Sequence, residues 1–169
     1  MKNIVLVGFM GVGKGSVARE LIKQTGMIAL DTDDIIESME NRSIKKIFAT
    51  DGEKYFRDLE QQVAKWLEKN VKNSIISTGG GFYKVKNLKK IGTVVLLDSP
   101  FEKIYERITS HPNAQSKLKK RPLFQDLNKA KALYDERSPL YKKIADIEID
   151  VTDKKLKEIV CEIQKKVKL

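Results

Sequence analysis

The chain has 169 residues and a formal net charge of +10, from 33 Lys and Arg against 23 Asp and Glu. One Cys and one His exclude a disulfide framework and a Cys/His zinc site within one chain, and a lone Cys suits a reducing compartment. The length suits a single α/β domain with room for a mobile insertion, and the first apolar run is too short for a signal peptide or a membrane span, so a cytoplasmic protein is expected.

The basic residues are spread over both halves and aromatics do not alternate with them. They read as solvated surface rather than a nucleic-acid interface.

Asn3–Val7 is the first short apolar strand. It runs into Gly8-Phe9-Met10-Gly11-Val12-Gly13-Lys14-Gly15-Ser16, and a helical run follows from about Ser16 to Thr25. Strand, glycine-rich turn and helix in this order make a phosphate-binding loop. Its N–H groups and the helix N-terminus favour anions, and Lys14 supplies a full charge. One position departs from the pattern. The residue after Gly-Lys is Gly15, where Ser or Thr would give a hydroxyl to Mg²⁺; the hydroxyl comes one place later, at Ser16.

Met27–Leu30 is the second strand, and Asp31 and Asp33 are placed at its carboxyl end, on one side of an extended backbone. One carboxylate suits Mg²⁺ held through water and the other a substrate hydroxyl. Asp34, with Glu37 three residues on, is the better helix cap of the three. Ile35–Gly52 reads as a helical excursion without a strand. Phe56, Leu59, Val63, Trp66 and Leu67 then repeat at helical spacing, which puts Trp66 in the core. Arg57 and Glu60 lie three apart on that helix, the spacing of an ordinary surface ion pair.

Ser74–Ser77 is the third strand, closed by Thr78-Gly79-Gly80-Gly81, where the backbone is open to a ligand. Thr93–Asp98 and Ile147–Val151 are the fourth and fifth. A helix from about Asn128 to Ile144 is expected to be interrupted by Arg137-Ser138-Pro139-Leu140-Tyr141, and a last amphipathic helix carries Leu156, Ile159, Val160, Ile163 and Val167. Cys161 sits in it as an ordinary small residue. Alternating strands and helices predict a parallel sheet covered on both faces. His111–Phe124 is long, polar and basic, which suits a lid, with Arg121 able to close over phosphates.

The loop around Lys14, Leu30-Asp31-Thr32-Asp33, Phe56-Arg57-Asp58-Leu59-Glu60, Gly79-Gly80-Gly81, Arg121-Pro122-Leu123 and Arg137-Ser138-Pro139-Leu140-Tyr141 together resemble the shikimate kinase family. The resemblance runs in order from residue 3 to about 151. It implies ATP-dependent phosphorylation of the 3-hydroxyl of shikimate, with Mg²⁺, on a three-layer P-loop kinase fold whose five parallel strands are ordered 2-3-1-4-5. It implies one domain over 1–169, with a substrate-binding helical region at about 33–61 and a lid at about 111–124. Shikimate would be held by Asp33, Arg57, Gly80 and Arg137, supported by Glu60, with Gly79 and Gly81 shaping the wall. Gly11, Val12, Gly13, Lys14, Gly15 and Ser16 would hold the phosphates, Arg121 would close over them, and Arg107 would stack on adenine. Lys14, Asp33 and Arg121 would carry the chemistry, and Asp31, with Ser16 in place of the missing hydroxyl, would stand near the metal. A monomer that binds neither nucleic acid nor membrane is expected. The readings that compete are another small-molecule kinase, for gluconate or a nucleoside monophosphate, and a nucleotide-binding regulator without catalysis.

Overall fold

The computed structural model describes residues 2–168. Its centre is β1 (Asn3–Val7), paired with a strand on each side and buried at every position. β2 (Ile28–Asp31), β3 (Ser74–Ser77), β4 (Gly92–Asp98) and β5 (Ile147–Asp150) complete a parallel sheet in the order β2-β3-β1-β4-β5. Leu6 is opposite Ser77, Val7 opposite Leu96, Asp31 opposite Ser77 and Asp98 opposite Asp150. This register brings all five carboxyl ends to one edge of the sheet. Asn3 ties the opposite edge: its amide donates to Val71 O and Ile91 O, and its carbonyl accepts from Ser74 N.

The helices are α1 (Lys14–Thr25), α2 (Thr32–Glu40), α3 (Ile44–Asn70), α4 (Leu88–Ile91), α5 (Phe101–Thr109), α6 (Ala114–Lys119), α7 (Leu127–Ile144) and α8 (Leu156–Val167). α1 packs against α8 and β3, α3 against α4, and α7 against β4. Short turns of 3₁₀ helix lie at Phe82–Lys84 and Pro122–Gln125.

Four expectations change. The cap of α2 is Asp31, not Asp34: its Oδ1 accepts from the N–H of Asp33 and Asp34. Helix therefore begins at Thr32, so Asp31 and Asp33 do not share an extended backbone. Trp66 is not core but 48% exposed. It lines an apolar cavity with Leu30, Ile35 and Met39, beside the edge strand β2. α7 runs unbroken through Pro139. That proline is exposed, so water can serve the carbonyl its missing N–H leaves free. Within His111–Phe124 lie α6 and a 3₁₀ turn. The excursion before the third strand is helical as expected, with α3 broken at Gly52. Cys161 is exposed on α8.

Candidate active site

Three cavities stand side by side along the carboxyl edge of the sheet. The middle one, about 350 Å³, is formed by the loop after β1, with Asp31, Asp33, Gly79, Arg107, Lys117 and Arg121 around it. It shares Met10, Asp33, Gly79 and Gly80 with a cavity of about 510 Å³ that holds Arg57, Glu60 and Arg137. On its other flank it shares Gly11 and Arg107 with a cavity of about 330 Å³.

The loop after β1 is shaped for anions. Gly13 caps α1 at φ +108°, where a side chain would be strained and would also collide with the Arg107 guanidinium. Lys14 is buried, and its Nζ donates to Gly8 O at 2.6 Å and Phe9 O at 3.1 Å. Burial brings its ammonium down to about 8, against the attraction of Asp33 and Asp31. Arg107 donates to Gly11 O at 3.4 Å, and Arg121 donates to Lys117 O at 3.1 Å. Burial lowers the pKa of both guanidiniums. Arg19, absent from the sequence reading of the site, also lines this cavity and donates to Ser16 Oγ at 3.4 Å.

Asp33 is the joint between the middle and the large cavity. Burial, together with the neighbouring carboxylates of Asp31 and Glu60, pushes its carboxyl up to about 7. A carboxyl poised there can accept or hold a proton at neutral pH. Among the described residues its Oδ1 is buried without a protein partner, and so are Glu60 Oε1 and Arg137 Nε in the large cavity. Such groups are few in folded proteins, and these are open to a polar ligand or to water.

Arg57 donates from Nη1 to Glu60 Oε2 at 2.5 Å. Glu60 is 1% exposed and Arg57 21%, so this is a partly buried pair rather than a surface one. Burial raises the Glu60 pKa, opposed by Arg57 and Arg137.

The three glycines after β3 adopt no positive φ; they serve close approach. A Cβ on Gly79 would strike the Asp33 carboxylate, one on Gly81 the Arg57 guanidinium, and one on Gly80 would crowd Arg137 Nη1 at 3.1 Å. Thr32 Oγ1 accepts from Gly79 N at 3.1 Å, and Tyr141 donates to Gly80 O at 2.6 Å, which fixes this wall.

The expected residues thus fall into two groups that meet at Asp33. Gly11, Gly13 to Ser16, Asp31, Arg107 and Arg121 line the middle cavity, and Val12 lines the third; Arg57, Glu60, Gly80, Gly81 and Arg137 line the large cavity. The sequence reading missed Val151, Thr152, Asp153 and Lys154, which follow β5 and line the third cavity with Ser99 and Arg107. Their one signal was position, directly after a strand at the ligand edge. It also missed Glu53, Lys84 and Glu136 in the large cavity, which no motif spacing marked.

For a hard divalent cation, the middle cavity supplies the carboxylates of Asp31 and Asp33 and the hydroxyl of Ser16. Among the described residues no group of three His, Cys, Asp or Glu is gathered to hold a metal. That donor set fits a Mg²⁺ coordinated mainly by phosphate oxygens and water.

The family model for shikimate kinase matches residues 10–168. A shikimate kinase of Helicobacter hepaticus is 46% identical over 143 residues, covering 85% of this chain and 83% of that protein. The crystal structure of shikimate kinase from Aquifex aeolicus is similar at 36% identity and a TM-score of 0.79, covering 98% of this chain and 96% of that one. A shikimate kinase from Acinetobacter baumannii in complex with shikimate superposes with a TM-score of 0.83 at 32% identity, over 99% of this chain and 93% of that one.

Proposed function

The chain belongs to the shikimate kinase family, and on that premise we propose that it transfers the γ-phosphoryl group of ATP to the 3-hydroxyl of shikimate across the junction at Asp33. One observation carries the reading. A cavity with two guanidiniums and a buried carboxyl opens directly into the cavity of a phosphate-binding loop. A small anion with several hydroxyls needs cationic forks and polar walls of that kind.

Arg57 and Arg137 grip the carboxylate of shikimate, while Asp33 and the backbone at Gly80 take its hydroxyls. The phosphates lie along the loop from Gly11 to Ser16, where their charge draws Lys14 Nζ away from two neutral carbonyls. The adenine lies in the third cavity, against Arg107 and the Val151–Lys154 segment. In the transfer, the 3-hydroxyl oxygen bonds to the γ-phosphorus as the bond to the β,γ-bridging oxygen breaks. The hydroxyl proton passes to Asp33, whose elevated pKa suits a base at neutral pH. Lys14 and Arg121 stabilise the charge spread over the phosphoryl oxygens. Asp31 and Ser16 are the side chains that would hold Mg²⁺, which neutralises phosphate charge when bound. Residues 111–124 act as a lid that keeps water from the γ-phosphate. The same reading treats 1–169 as one domain, working as a cytoplasmic monomer on small molecules.

The test is ADP release from the purified chain. Release should require both MgATP and shikimate and yield shikimate 3-phosphate. Turnover with gluconate or a nucleoside monophosphate, but not with shikimate, would point to another small-molecule kinase. ATP binding without turnover on any acceptor would make the chain a regulator.

A further inference from the structure

Among the described residues, Glu53 is the one carboxylate of the large cavity that touches Arg57 from the solvent side. It stands directly after Gly52, where α3 breaks with φ +82° and ψ 176°. Among the described residues beyond its chain neighbours, nothing lies within 4 Å of where a Gly52 side chain would begin. Helix resumes at Glu53, so the carboxylate occupies a first turn, where negative charge is favoured. Its side chain is 58% exposed, against 1% for Glu60.

The two glutamates divide one guanidinium. Glu60 takes Arg57 Nη1 from within, at 2.5 Å. Glu53 takes the opposite edge, its single Oε1 accepting from Nε at 3.3 Å and from Nη2 at 3.2 Å. That edge is the pair of parallel donors on which a carboxylate docks with one oxygen per N–H. Glu53 uses it poorly, with one oxygen shared between two long bonds. Lys84, on the 3₁₀ turn after the glycines, lies 4.0 Å from the same oxygen and also lines the cavity.

We propose that Glu53 is an internal competitor for the carboxylate subsite: it occupies the Nε/Nη2 edge of Arg57 and passes to Lys84 when the carboxylate of the acceptor arrives. A ligand with two well-placed oxygens displaces it, whereas a weakly held anion does not. Glu53 thereby sets selectivity for acceptors that bring a full carboxylate. This rests on the proposed reading that the acceptor's carboxylate docks on Arg57.

Calorimetric titration of the full chain with shikimate, without nucleotide, tests it, alongside the analogue in which a hydroxymethyl group replaces the carboxylate. Glu53→Gln keeps the size of the side chain and weakens its hold on Arg57. It should bind shikimate about threefold more tightly, the scale of an exposed ion pair, and bind the analogue as the unaltered chain does. Lys84→Ala should weaken shikimate binding when Glu53 is present and leave it unchanged in the Glu53→Gln background. A Glu53→Gln dissociation constant that stays the same or rises overturns the proposal, because Glu53 then only braces Arg57. Equal tightening for acid and analogue also overturns it. Failure of the unaltered chain to bind shikimate removes the proposed function and this proposal with it, an outcome distinct from either of the others.

Discussion

Arg57 shows how a residue's role depends on what faces it. At i and i+3, Arg57 and Glu60 look in sequence like any exposed pair, yet Glu60 is 1% exposed. Truncating Arg57 removes one partner of a partly desolvated pair and leaves the buried Glu60 without it. Arg57→Ala should weaken shikimate binding by about 2–4 kcal/mol, read by calorimetry or as a raised KM; an unchanged KM would remove Arg57 from the substrate site. Asp33 gives a second expectation. Its carboxyl rises from the ordinary 3.8 to about 7. Below about pH 4 the side chain is protonated in both folded and unfolded chains. As pH rises to about 7, the unfolded chain loses the proton while the folded one keeps it, so stability falls through that window. Asp33→Asn removes this titration. Its Tm should exceed that of the unaltered chain at pH 8, and the gap should close towards pH 4. Sequence marked Asp33 by its place after a strand. It did not say that helix begins one residue earlier, because the cap was assigned to Asp34 when Asp31 makes both bonds.

At the scale of elements, the turn after β3 and the loop after β1 each allow a clean substitution. Gly81 sits at φ −100° and ψ −4°, which any residue adopts, so alanine would strain no backbone there. The obstacle is the Arg57 guanidinium. Gly81→Ala should therefore lower kcat/KM for shikimate by up to about 10²-fold, the cost of a misplaced binding group, while the circular dichroism of the fold is kept. An unaffected kcat/KM would mean that Arg57 moves aside freely. At Gly15, a Cβ would meet only Arg19 Nη1, at an ordinary 3.5 Å. Gly15→Ser should fit and add the hydroxyl that the loop lacks. ADP binding, followed by calorimetry across a Mg²⁺ series, should then saturate at lower Mg²⁺; an unchanged series would show that the missing hydroxyl is already compensated. α7 makes the opposite point. Its sequence forecast a break at Pro139, but one lost N–H at an exposed position is not enough to end a helix.

Across the whole molecule, five strands ending at one edge set three cavities in a row, and residues 111–124 lie beside the middle one. Arg121 lines that cavity without a carboxylate partner among the described residues, which leaves its charge free for phosphates. Arg121→Ala should lower kcat by about 10³-fold, the low end for an arginine that stabilises phosphoryl transfer, with a much smaller effect on shikimate binding. A kcat within about tenfold of the unaltered chain would assign the phosphate charge to Lys14 and Arg107 instead.

The sequence by itself determined the alternation of strand and helix, the glycine-rich turn before α1 and the local motifs around Asp33, Arg57, Gly80 and Arg137, because each is a local pattern of period, glycine or charge. Even the strand order followed only from the family resemblance, since periodicity carries no information about which strand lies beside which. Tertiary structure decided what is far apart in the chain and near in space. It alone set Val151–Lys154 beside Arg107, Lys84 beside Glu53 and the three glycines against Asp33, Arg137 and Arg57. It alone exposed Trp66, because a helical repeat records an apolar face without recording where the sheet beneath it ends.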